Sequence, residues 1–152
     1  MTQLLVQAAF GLPKRVGAMG AVAAPSRRSP LAGCRILVVE DEMLIMMDAE
    51  DMLHDLGCET VVTAATVDKA LGFIGSEVID AALLDMNLNG DRSYAVADAL
   101  AVRGIPFAFA TGYGLNGLRE GDGDTPMLVK PYGINDLSKT LTALLGGAPQ
   151  PS

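Results

Sequence analysis

The chain has 152 residues, half of them hydrophobic and 19% charged, which is enough for one domain with a packed core. No apolar run approaches the ~18 residues that a membrane helix needs, so no membrane insertion is expected. Residues 1–34 carry Lys14, Arg15, Arg27 and Arg28 with no acid, whereas the rest sets seven basic residues against all 18 acids, a net charge of −11 that repels a nucleic-acid backbone and argues against direct DNA binding.

Residues 1–33 are rich in Ala, Gly, Pro, Arg and Ser and lack sustained periodicity. Their charges follow the apolar MTQLLVQAAF instead of preceding it, unlike a secretory signal, so they read as a disordered extension. From residue 34 the pattern changes. RILVV (35–39) is a continuous apolar run, as expected of a strand buried on both faces. A helix follows, with Ile45, Ala49, Met52, Leu53 and Leu56 at helical spacing and Gly57 as its stop. ETVVTAA (59–65) reads as a second strand, and Thr66 can cap a helix over about 67–75. AALLD (81–85) is a third buried strand, and SYAVADALAVRG (93–104) a helix. PFAFA (106–110) and PMLV (126–129) are the fourth and fifth strands, and INDLSKTLTALL (134–145) the last helix. Residues 148–152 read as a flexible tail. Strands that alternate with helices imply an open α/β fold: a doubly wound, five-stranded parallel sheet with helices on both faces.

Cys34 and Cys58 are the only cysteines and His54 the only histidine. Two thiols point to a reducing, cytoplasmic setting without a disulfide framework. Together with one imidazole they are too few for a structural metal site.

The chemistry lies where the strands end, because open parallel sheets bind ligands at their carboxyl edge, beside the point where strand order reverses. Strand one ends in Glu40 and Asp41, strand three in Asp85, strand four in Thr111 and strand five in Lys130. If the strand order is 2-1-3-4-5, Glu40, Asp41 and Asp85 converge, with Thr111 and Lys130 on the other side. Three carboxylates in one pocket repel each other unless their pKa values rise or a cation joins them. An all-oxygen site suits Mg2+. Asp85 can then serve as nucleophile toward a phosphoryl group, while Thr111 and Lys130 offer a hydroxyl and a compact positive charge to its oxygens. Taken singly, each residue has a duller role as a helix-end acid, a turn residue or a solvated lysine. Their joint occurrence at four strand ends favours the chemistry.

RILVVEDE, ALLDMNLNG, FATG and LVKP resemble the four signature segments of the response-regulator receiver domain of two-component signalling, over about residues 34–146, which sets the expected domain at 34–147. The resemblance implies a flavodoxin-like fold and an Asp85 that takes phosphate from a sensor histidine kinase or a histidine phosphotransfer protein. It implies Mg2+ held by Asp41, Asp85 and the backbone carbonyl of Asn87, with Glu40 helping through water. It also implies a cis Lys130–Pro131 bond. PFAFATGY is similar to the PFxFATGY receivers, a mostly stand-alone subgroup associated with alphaproteobacterial stress signalling. The expectation is therefore a non-enzymatic, single-domain switch that signals through protein contacts, with a phosphate sink and a phosphate-independent binder as alternatives.

Two features depart from the family. The acidic pair is Glu–Asp, and Met127 stands where receivers usually carry an aromatic switch residue three positions before the lysine. The string GYGLNG (112–117) mimics a dinucleotide fingerprint. That motif needs a real helix after it and an acid at the end of the next strand. Here the expected helix, Leu115–Arg119, is brief and the next strand ends in Lys130. A flavin module would need a phosphate-cradling loop after strand one, where EDE stands instead. Tyr113, two residues beyond Thr111, is a candidate shield against the water that hydrolyses an aspartyl phosphate.

Overall fold

The computed structural model describes residues 31–88, 90–112 and 123–146. In chain order it contains β1 (Arg35–Val39), α1 (Met43–Asp55), β2 (Thr60–Ala64), α2 (Val67–Ser76), β3 (Ala81–Asp85), β4 (Asn87–Leu88), β5 (Asp91–Arg92), α3 (Tyr94–Val102), β6 (Phe107–Thr111), β7 (Met127–Val129) and α4 (Ile134–Gly146). Five strands form one sheet in the order β2-β1-β3-β6-β7, with every neighbouring pair parallel. Counted among themselves, these strands take the expected order 2-1-3-4-5. The antiparallel ribbon of β4 and β5 was not anticipated. Two residues per strand are too few to leave a periodic signal. The expected helix Leu115–Arg119 and Tyr113 lie outside the described residues.

Successive side chains of a strand point to opposite faces, so each apolar strand feeds two cores at once. On one face Ile36, Val38, Leu83 and Ala108 meet Met46, Ala49 and Leu53 of α1 and Leu137 and Leu141 of α4. On the other face Leu37, Val39, Leu84 and Phe109 meet Ala70 and Ile74 of α2 and Val96, Ala97 and Leu100 of α3. Central β3 is buried at all five positions, which is why AALLD carries no alternation. Leu31 is fully buried in the first core, so packing begins slightly ahead of β1.

Polar groups fix the ends of elements. The Thr66 hydroxyl accepts from the Lys69 N–H at 3.2 Å and caps α2. At the amino edge of the sheet, the Arg35 guanidinium donates to the Val78 carbonyl at 2.9 Å and to the Thr60 hydroxyl at 3.0 Å. The Arg35 N–H donates to Asp80 at 2.8 Å. One residue thus ties β1 to β2 and to the turn before β3. Cys58 is buried and Cys34 half-buried; both thiols are free. The Lys130–Pro131 bond is cis, as the resemblance implies. Among the described residues, no helix is long and apolar enough to cross a membrane.

Phe109 is fully buried and packs edge-on to Phe107, with ring centroids 5.5 Å apart. Phe109→Ala is expected to lower stability by about 3–5 kcal/mol. Thr66→Ala removes only a helix cap and should cost about 1 kcal/mol. Urea denaturation followed by circular dichroism compares the two, and similar losses would contradict this placement of the core.

Candidate functional site

The site follows from register. Val39 pairs with Leu84, so the residues that leave β1 and close β3, Glu40 and Asp85, come off adjacent strand ends. Asp85 pairs with Ala110, which leaves Thr111 one step further out. Thr111 pairs with Val129, and the Thr111 carbonyl accepts from the Lys130 N–H at 2.8 Å. Four segments that are remote in sequence therefore finish along one edge of the sheet.

The side chains complete what the backbone begins. Oxygens of Glu40, Asp41 and Asp85 all lie within 4.8 Å of one another. The Lys130 ammonium donates to Glu40 Oε1 at 2.8 Å and lies 3.2 Å from Asp85 Oδ2. The second Glu40 oxygen accepts from the Glu42 N–H at 3.0 Å, so Glu40 also orders the chain entering α1. Asp85 Oδ1 accepts from the Asn87 N–H at 3.2 Å, and Asn87 Oδ1 accepts from the Gly90 N–H at 3.0 Å. Those two bonds shape the turn into the ribbon. Glu40, Asp85 and Thr111 are only 3%, 7% and 4% exposed, whereas Asn87 faces solvent.

Burial, partly offset by the hydrogen bonds from Lys130 and Glu42, pushes the Glu40 carboxyl up to about 7; the Asp85 charge adds to the rise. Burial works against the Lys130 ammonium, but its hydrogen bond to Glu40 and the Asp85 charge outweigh this and raise its pKa. Lys130 stays charged at neutral pH and supplies one positive charge against three acids.

An open cleft of about 1010 Å³ contains Asp41, Asp85, Asn87, Thr111 and Lys130 in its lining. Every expected site residue thus lies on this cleft except Glu40, which sits behind Lys130. Glu40 is the direct hydrogen-bonded partner of Lys130, a contact that the sequence did not predict. The cleft also takes in residues that the sequence did not assign to the site: Ile45 and Met52, read there only as part of the helical pattern of α1, Asp48 of α1, Arg92 of β5, and Tyr132. The Tyr132 phenol is pushed up to about 12 by burial and then by the charges of Glu40, Asp85 and Asp48, so it keeps its proton. Its place two residues after Lys130 was the available signal. His54 is exposed on α1, 3.9 Å from Glu50, and takes no part in the cleft.

Fold and site together define a flavodoxin-like α/β module with an acidic pocket at the carboxyl edge of its sheet. No family model matches the chain. The solution structure of SdrG from Sphingomonas melonis Fr1 is 46% identical with a TM-score of 0.67, covering 74% of this chain and 97% of that one. The receiver domain of the sensor histidine kinase PA1611 from Pseudomonas aeruginosa PAO1, which has a magnesium ion coordinated in its active-site cleft, is 26% identical with a TM-score of 0.65 and is covered over its full length by 76% of this chain. The transcriptional regulatory protein PdtaR of Mycobacterium tuberculosis is 31% identical over 107 residues, 68% of this chain, and the chain spans about half the length of that curated relative. The chain belongs to the response-regulator receiver family.

The Glu40 shift predicts how metal-free stability depends on pH. A carboxyl that binds its proton more tightly in the folded than in the unfolded chain stabilises the fold fully below its ordinary pKa near 4.5. This contribution is lost as pH rises toward about 7. Unfolding free energy measured in chelator should carry a falling component between pH 5 and 7.5, of up to about 3 kcal/mol. Glu40→Gln should flatten that component; an unchanged slope would remove Glu40 as its source.

Proposed function

We propose that the chain is a phosphorylation-controlled switch, with Asp85 as acceptor of a phosphoryl group from a sensor histidine kinase or a histidine phosphotransfer protein. The observation that carries this reading is the convergence of Asp85 with Glu40 and Asp41, oxygens within 4.8 Å, beneath a lysine 3.2 Å from the Asp85 carboxylate. The phosphorylatable unit spans residues 34–147, with 1–33 and 148–152 as flanking segments. It acts as a non-enzymatic module in the cytoplasm, and its output is a protein contact and not DNA binding. A stress role follows from the likeness to the PFxFATGY receivers.

The donor set fits magnesium. Clustered carboxylate oxygens are the ligands that a hard divalent cation takes, and Lys130 sets a single positive charge against three acidic side chains. Asp41, Asp85 and the Asn87 carbonyl would hold the ion, with Glu40 behind them. Bound there, Mg2+ would supply charge neutralisation for an arriving phosphoryl group.

The remaining steps belong to the chain. Asp85 is the nucleophile. One of its oxygens forms the new bond to phosphorus as the P–N bond of the donor breaks, and the histidine nitrogen keeps that electron pair. The hydrogen bond from the Asn87 N–H holds one Asp85 oxygen in place. Thr111, at the end of β6, offers its hydroxyl to a phosphoryl oxygen. Lys130 offers its ammonium to another, and leaving Asp85 for that oxygen reorganises the loop it heads.

Asp85→Asn keeps the shape of the side chain but is not a comparable nucleophile. It should abolish labelling by acetyl phosphate with Mg2+, read as an 80 Da gain in intact mass; undiminished labelling would reject Asp85 as acceptor. Asp41→Ala should slow labelling at least about tenfold at a fixed, subsaturating Mg2+ concentration. Lys130→Ala should still permit some labelling but lose the change in amide NMR shifts that follows phosphorylation in the wild type. The same shifts in both proteins would count against its coupling role.

A further inference from the structure

Of the ribbon after Asp85 the steps above use only Asn87, yet its second strand places a cation beside them. β4 and β5 pair Asn87 with Arg92. Residues directly opposite in an antiparallel pair carry their side chains on the same side, with Cβ atoms about 4.5–5.5 Å apart. Asn87 lies two residues from Asp85, and both Asn87 and Arg92 line the cleft that contains Asp85. Among the described residues that line it, the cations are Arg92 and Lys130, against Asp41, Glu42, Asp48 and Asp85. Lys130 is engaged with Glu40 and Asp85 and is largely buried. Arg92 is exposed, and its guanidinium makes no hydrogen bond or ion pair with the described residues.

A phosphoryl donor carries negative charge toward a cleft, and a whole domain, that is already strongly negative. Encounter then depends on a local positive charge that the resting site has not already used. A guanidinium supplies a planar fork that binds two oxygens of a phosphate at once, at the rim, without displacing the Lys130 ion pairs. We propose that Arg92 is the donor-docking residue of this site. It holds the phosphoryl oxygens of an incoming acyl phosphate or phosphohistidine before transfer, and so sets how much donor is needed rather than how fast the bond to Asp85 forms.

This inference rests on the reading of Asp85 as acceptor, and the experiment separates the two. The probe is acetyl phosphate at saturating Mg2+: an Asp85 oxygen gains the bond to phosphorus, the bond from phosphorus to the acetyl oxygen breaks, and acetate leaves with that electron pair. Initial labelling rates are measured against donor concentration for wild type, Arg92→Ala and Arg92→Lys, with Asp85→Asn as the blank.

Arg92→Ala is expected to raise the half-saturating donor concentration about three- to tenfold, the scale of one solvent-exposed charge contact. Its plateau rate should stay within about twofold of wild type, and its rate should respond less to added salt. Arg92→Lys should recover part of the loss, because it keeps the charge without the fork. Magnesium affinity, measured by calorimetry without donor, should be unchanged or tighter in Arg92→Ala, since a positive charge leaves the cleft. A weaker magnesium affinity would instead show a collapsed ribbon and overturn the docking role, as would a plateau loss at unchanged half-saturation. Wild-type labelling with the same half-saturation in all three proteins would overturn the role of Arg92 alone. No labelling of wild type above the Asp85→Asn blank would overturn the acceptor reading itself, and this inference with it.

Discussion

Three carboxylates share a space under 5 Å across, and one lysine 90 residues further along the chain keeps them there. Unscreened, such a cluster would push its own strand ends apart. Lys130 prevents this only because the parallel sheet delivers it to the same edge as Glu40 and Asp85. β1 must lie beside β3, and β6 must carry β7 in register, so that Lys130 leaves the sheet beyond Thr111. The sheet order is therefore a requirement of the site's electrostatics as much as of the core.

The two cores make that delivery accurate. β3 is buried at every position and clamped between α1 and α4 on one face and α2 and α3 on the other, so Asp85 stands on the least movable strand. The groups around it are held less firmly. Asn87 is exposed on a two-residue strand, and Lys130 heads the loop into α4. A rigid proposed acceptor with adjustable neighbours suits a switch: the reacting atom stays fixed, while the segments that read its charge can shift.

Lys130 serves two roles that compete. At rest its ammonium pairs with Glu40 and Asp85; on the proposed reading a phosphoryl oxygen offers it a stronger partner. Glu40, raised toward neutrality by its own burial, can give up part of that ion pair by taking a proton. The pair thus couples a charge event at Asp85 to the chain that enters α1, which Glu40 also orders through the Glu42 N–H.

Much of this was legible before any coordinates. RILVV and AALLD announce strands buried on both faces by their lack of alternation, and Thr66 announces the start of α2 by its hydroxyl. The site residues were legible because strand ends can be located from the apolar runs, and the identity of the last residue is then informative. Three things were not legible. The ribbon that carries Arg92 is too short to leave a periodic trace. The place of Leu31 in the core is set by packing and not by pattern. The pairing of Glu40 with Lys130 is fixed by the register of strands far apart in sequence. The sequence by itself determined which elements form and which chemical groups stand at their ends, because periodicity and end residues are local properties of the chain. Only the tertiary structure decided which of those groups meet, because distances between side chains on different strands depend on sheet order and register, which no single segment encodes.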